Sequence, residues 1–134
     1  MPMIQIKAAS PHAPDLGSAR IAALAARLST ELLGKDPAVT AVVVEQLAAE
    51  AWFCAGKSLA EQGKAAFWLD IRVTDGTNSK DELAAFIQAA FDGMAALLGP
   101  LHEESYVHVV PVRADSYGYG GQTQERRYIA ARLR

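Results

Sequence analysis

Proline at position 2, directly after Met1, opens the apolar run Met3-Ile4-Gln5-Ile6. Trimming of an initiator methionine before so small a residue leaves a secondary amine, the one base of that kind a ribosomal chain can carry. A chain-end amine has a pKa of about 8. Apolar packing or neighbouring cations lower it further, because both disfavour the protonated form. A base poised near neutrality suits proton transfer at a carbon beside a carbonyl. With Met1 attached, the same nitrogen is an amide and no base.

Few other side chains have types and settings that suit chemistry. Arg72 lies next to Asp70 on the polar side of a strand, and either holds a substrate carboxylate or pairs with Asp70. Arg113 ends a strand before Ala114-Asp115 and has the same two roles open to it. His108 lies mid-strand, lining a pocket or satisfied within the sheet; His12 sits between Pro11 and Pro14 in the loop after the Pro2 strand. Cys54, within Trp52-Phe53-Cys54-Ala55, reads as a packed thiol rather than a nucleophile. His12, His102 and His108 with Cys54 show no metal-ligand spacing, so no metal is expected. Gly118-Tyr119-Gly120-Gly121 lacks the strand–loop–helix context of a dinucleotide site, and no serine sits in a nucleophile elbow. Asp75 is a turn residue ahead of a helix.

The elements that position these residues form a short chain. Its 134 residues suit one compact domain, half of it hydrophobic, which is enough for a sizeable core. The formal net charge of −2 gives no electrostatic footprint for nucleic acid, and no apolar run reaches membrane-spanning length. The single cysteine excludes a disulfide framework. No basic flank and long apolar stretch mark a signal peptide. These features predict a soluble cytoplasmic protein with no nucleic acid or membrane partner. Arg126-Arg127 and the Arg132 to Arg134 end read as a solvated or interfacial tail.

The chain repeats itself. Leu32-Leu33-Gly34 recurs as Leu97-Leu98-Gly99, 65 residues on (34 to 99). At the same offset Ile4, Ile6 and Lys7 meet Leu69, Ile71 and Arg72, and Val42 and Val44 meet Val107 and Val109. Glu50, Trp52 and Gly56 meet Asp115, Tyr117 and Gly121. The expectation is one domain over residues 1–134, built from pseudo-repeats 1–63 and 64–134.

Each repeat reads as strand, helix, strand and a short glycine-bearing element. Phe67, Leu69, Ile71 and Val73 alternate with Trp68, Asp70 and Arg72, the period of a strand with one buried face. Ser79 and Glu82 form a capping-box pattern before the stripe Leu83, Phe86, Ile87, Ala90, Met94 and Leu97, which Gly99-Pro100 stops. The first unit matches with Ile21, Leu24, Ala25, Leu28 and Leu32, then Gly34 and Pro37. Valine-rich runs at 40–47 and 105–113 are strands, with Pro111 marking an edge or bulge. A helical crossover makes the two strands of each unit parallel. The predicted class is α+β: two tandem β-α-β units forming a four-stranded sheet with both helices on one face. The opposite face, with Trp68, Trp52 and Tyr106 near it, is left uncovered, which implies self-association.

With Pro2 at the head of the first strand and a duplicated strand–helix–strand unit, the chain resembles the tautomerase superfamily, in the form of a fused, duplicated 4-oxalocrotonate tautomerase subunit. The resemblance covers residues 2–121. It rests on Pro2 with Gln5-Ile6, and on Tyr117-Gly118-Tyr119-Gly120-Gly121, which is similar to the aromatic-Gly-x-Gly-Gly hairpin closing that subunit. It implies a homotrimer, no cofactor, and a tautomerase or isomerase moving protons in small keto–enol carboxylates, with Pro2 as general base. Relatives that dehalogenate or decarboxylate use the protonated proline instead, and a non-catalytic trimeric binding protein is a further alternative. Tyr117 takes the family position that walls the proline's pocket, where its hydroxyl could donate to a carbonyl oxygen; Trp52 is its mate. The family's first substrate-binding arginine falls on His12, with Thr77 as mate, and the second on Ala41 or Val42 and on Tyr106 or Val107. The guanidinium clamp is therefore not reproduced, which leaves Arg72, Tyr117, His12, His108 and Arg113 as the substrate-binding candidates. The second unit begins at Phe67, inside the chain, so only one half can carry an amine base.

Overall fold

Alternating burial along the Pro2 strand sets the sheet. The computed structural model describes residues 2–13 and 17–133; Met1, whose removal the amine base requires, and Pro14 and Arg134 lie outside the described residues. In β1 (Met3–Ala9), Ile4, Ile6 and Ala8 are buried while Gln5 is exposed. The first unit continues with α1 (Ser18–Leu33), a 3-10 turn (Pro37–Val39), β2 (Ala41–Gln46), a second 3-10 turn (Ala49–Ala51), the hairpin β3 (Phe53–Cys54) and β4 (Lys57–Ser58), and α2 (Leu59–Gln62). The second has β5 (Ala66–Thr74), α3 (Lys80–Leu98), β6 (Tyr106–Val112), a 3-10 turn (Ala114–Ser116), the hairpin β7 (Gly118–Tyr119) and β8 (Gln122–Thr123), and α4 (Gln124–Arg132).

The four long strands form one sheet in the order β2-β1-β5-β6. Each unit's own pair is parallel, as the helical crossovers require, and β1 meets β5 antiparallel with Met3 opposite Arg72 and Ile6 opposite Leu69. Pro111 lies in β6 at the sheet edge, where its missing N–H costs no ladder bond. The helices α1 and α3 cover one face. Ile21, Ala25 and Leu28 from α1 join Phe86, Ala90, Met94 and Leu98 from α3 over Ile4, Ile6, Phe67, Leu69 and Ile71. The helices approach closely at Gly93, where a Cβ would stand 2.8 Å from Leu24 Cδ2.

Two details depart from the sequence reading. Ile87, expected in the α3 core stripe, is 41% exposed. The buried positions step by four from Phe86 to Leu98, and Ile87 lies about 100° round the helix from that line. The basic tail is also not a tail: Arg126, Arg127 and Arg132 belong to α4. Its cap was legible, since the Thr123 side chain accepts from Arg126 N–H just as Ser58, its mate 65 residues earlier (123 to 58), accepts from Glu61 N–H. The capping box at Ser79 and Glu82 is formed, and the Ser79 N–H with the Asn78 amide holds the Glu82 carboxyl below the usual carboxylate range.

The hairpins differ at one backbone position. Both turns take two residues at positive φ, Ala55 (55°) with Gly56 and Gly120 (61°) with Gly121. Alanine in the left-handed region is strained by about 1 kcal/mol. Ala55→Gly is therefore expected to stabilise the protein by somewhat less than that, since glycine gains freedom when unfolded. A urea midpoint that fails to rise would count against this reading of the turn.

The face away from the helices is open. Val43 (52% exposed), Trp68 (40%) and Tyr106 (60%) stand on it among Gln5, Lys7, Asp70 and Arg72, and the Lys7 ammonium lies 5.1 Å from the Trp68 ring. Among the described residues, no helix is long and apolar enough to cross a membrane.

Candidate active site

Pro2 stands just ahead of β1, buried, at an open cavity of about 550 Å³ lined by residues 2–3, 38–41 and 117–119. Its carbonyl accepts the Ala41 N–H at 3.0 Å, which ties it to the start of β2. The Pro37–Val39 turn forms one wall, capped by the Asp36 side chain accepting from Ala38 N–H at 2.9 Å. The second unit supplies the opposite wall. Tyr117 O–H donates to the Arg72 carbonyl at 3.1 Å, and the Tyr117 carbonyl accepts Gln124 N–H at 2.8 Å, fixing the hairpin against β5 and α4. Burial pushes the Tyr117 phenol above its usual range, so it stays a donor at neutral pH. Arg127 backs the second aromatic residue of the wall: its guanidinium lies 3.9 Å from the Tyr119 ring centre and donates to the Tyr119 carbonyl at 3.1 Å.

The other sequence candidates do not all gather here. Tyr117 does. Arg72 contributes its carbonyl to Tyr117, while its guanidinium lies on the open face 3.7 Å from Asp70. Arg113 is at the Pro2 end of the sheet, four residues before Tyr117, and makes a two-pronged pair with Asp115 at 3.0 and 2.6 Å. His108 faces Asp70 across the β5–β6 ladder, three residues along from Pro111, or roughly 10 Å. His12 follows the far end of β1, roughly 20 Å from Pro2 in the same chain. Its Nε2 is 2.7 Å from the Gly63 carbonyl. Among the described residues, none of those lining the cavity has a charged side chain. Arg127, the cation against the cavity wall, was missed in the sequence because a hairpin and a helix turn separate it from Tyr119.

The thiol of Cys54 is buried, as its apolar neighbours imply. It meets two partners distant in sequence, His102 and Glu104. Nothing in their spacing marks this meeting; the repeat offset, which sets hairpin and strand entry side by side, is the one signal that could have.

No protein-family model and no curated protein sequence matches this chain. Solved structures do. A wild-type fused 4-OT in a symmetric trimer is similar over 92% of this chain and 96% of its own, with 17% identity and a TM-score of 0.76. Pt0534 inactivated by 2-oxo-3-pentynoate matches over 93% and 98%, with 14% identity and a TM-score of 0.77. A macrophage migration inhibitory factor-like protein from Entamoeba histolytica matches over 91% and 97%, with 16% identity and a TM-score of 0.72.

The chain has the tautomerase fold.

Coverage of nearly all of both chains means that the likeness extends beyond either half of the sheet alone. At these identities it carries the tautomerase fold and leaves the chemistry to the residues at the cavity.

Proposed function

We propose that the protein is a cofactor-independent tautomerase or isomerase acting on a small keto–enol carboxylate, with Pro2 as general base once Met1 is removed. The observation that carries this reading is the position of Pro2, buried against an apolar wall and a pair of tyrosines at the mouth of a cavity large enough for a small acid. An amine there is poorly solvated as an ammonium, which favours the neutral base. Pro2 takes a proton from an enol oxygen or an activated carbon and returns it at a neighbouring atom. Tyr117 can stabilise enolate charge if it turns its O–H from the Arg72 carbonyl to the substrate. Among the described residues, the cavity's own lining offers no carboxylate clamp; Arg127 behind Tyr119, or a neighbouring chain, supplies the cation in this reading. A homotrimer supports the latter: fused 4-OT relatives are described as trimers, and the open face with Val43, Trp68 and Tyr106 is suited to burial against another copy.

The test uses Met1-processed protein, confirmed by intact mass, assayed on phenylenolpyruvate and 2-hydroxymuconate and then treated with 2-oxo-3-pentynoate. Turnover and one covalent label per chain, mapped to Pro2 by peptide mass, are expected. Processed protein that neither turns over these acids nor is labelled at Pro2 would overturn the reading.

A further inference from the structure

The Pro2 cavity has a counterpart at the other end of the sheet. At the 65-residue offset Met3, Val39 and Ala41 correspond to Trp68, Glu104 and Tyr106 (3 to 68), while Tyr117, Gly118 and Tyr119 correspond to Trp52, Phe53 and Cys54 (117 to 52). Those six residues line a second cavity of about 220 Å³. Its proline position is Phe67, buried and internal, so no amine can serve there.

Different donors stand in its place. A thiol, an imidazole and a carboxylate from Cys54, His102 and Glu104 bring their ligand atoms within 4.8 Å of one another. We propose that Cys54 and Glu104, which line this second cavity, together with His102 beside them form a binding site for a divalent transition metal of the zinc class. It is independent of the Pro2 chemistry.

The scaffold around the donors is ordered. Cys54 is held in a small apolar cluster with Ala9, Ala49, Leu59 and Ala66. The backbone of His102 is pinned by its N–H to the Ala65 carbonyl at 2.8 Å, and its carbonyl accepts Ser105 O–H at 2.9 Å. Glu104 has one carboxylate oxygen held by Tyr106 O–H at 3.1 Å, the kind of outer partner that orients a ligating carboxylate and leaves its other oxygen free. Thiolate, imidazole and carboxylate together match zinc or cobalt rather than magnesium or calcium, which prefer oxygen alone. A tetrahedral ion with bonds of about 2.0–2.3 Å sets its ligands roughly 3.5 Å apart. Closing the set therefore needs modest side-chain rotation, which exposed Glu104 can make. Three protein ligands leave a fourth position for water or a small donor molecule.

Binding has two costs. The Cys54 thiol is pushed up by burial and by the Glu104 carboxylate, so the metal must displace its proton to solvent. Ligation also gives up the bond that His102 Nδ1 accepts from Glu104 N–H at 3.0 Å, because Nδ1 then either spends its lone pair on the metal or, with Nε2 ligating, carries the proton.

The test is titration of metal-free full-length protein with Co²⁺, followed by Zn²⁺. One Co²⁺ per chain is expected, with a thiolate-to-cobalt charge-transfer band that Zn²⁺ abolishes by displacement. Cys54→Ser removes the band, His102→Gln weakens binding by at least about tenfold, and Tyr106→Phe weakens it about 10–100-fold as an outer partner. Pro2→Ala leaves the titration unchanged. Circular dichroism on each variant identifies any that has unfolded, and His102→Gln, on a half-buried turn, provides a readout if the buried Cys54→Ser does not fold. Absence of the thiolate band at saturating Co²⁺, or binding that persists unaltered in folded Cys54→Ser or His102→Gln, overturns the proposal.

Discussion

Replacing Pro2 by alanine is expected to lower kcat/KM on a keto–enol acid by about 10²–10⁴-fold, the range in which a positioned general base contributes. Alanine also permits removal of Met1, so the variant keeps a chain-end amine and loses the ring. The pyrrolidine is buried between the start of β2 and the Tyr117 hairpin, and its carbonyl bond to Ala41 N–H fixes where its nitrogen sits. A primary amine on alanine lacks that packing, rotates, and is better solvated as an ammonium. Protein that retains Met1 should be as inactive as the variant or more so, because its Pro2 nitrogen is an amide. The measurement is steady-state turnover with intact mass on every sample. Full activity in Pro2→Ala, or in protein with Met1 demonstrably retained, would show that the base lies elsewhere.

Phe67→Ala is expected to have the opposite character: about 3–5 kcal/mol of lost stability, in the range for a buried phenylalanine. Phe67 occupies in the second unit the position that Pro2 has in the first, yet it is fully buried in the core that α1 and α3 cover, with its ring 6.4 Å from that of Phe91. The cavity left beneath the helices cannot collapse easily, because the backbone on both sides is held in the β1–β5 and β5–β6 ladders. Urea unfolding of the variant should show a midpoint shift of that size with an unchanged slope. A loss under about 1 kcal/mol would mean that the position is not packed as described. Mates of one repeat thus differ in kind: one is proposed to carry chemistry, the other carries the core.

The fold was largely readable because it rests on periodicity. Alternation of Phe67, Leu69, Ile71 and Val73 marks β5, the Ser79–Glu82 box marks the start of α3, and Gly34 and Gly99 mark helix ends. Each is a local pattern that the chain writes in consecutive residues. Ile87 misled because a stripe in sequence is wider than the line of contact between one helix and the sheet. Helix α4 was missed because its composition is polar, and its Thr123 cap counts only when set beside Ser58.

Legible along the chain were the 65-residue offset between the two units and the parallel pairing that a helical crossover imposes within each. What the sequence by itself could not determine is which side chains share a cavity. Strand direction decided that: β1 carries Pro2 to one end of the sheet and His12 to the other, and the antiparallel join of β1 to β5 places the two pseudo-equivalent cavities at opposite ends. Tyr117 is 115 positions from Pro2 (2 to 117) and Glu104 is 50 from Cys54 (54 to 104), and only folding closes those separations. Periodicity is set by neighbours along the chain, whereas a site is set by chain reversals whose closure depends on the packed core as a whole.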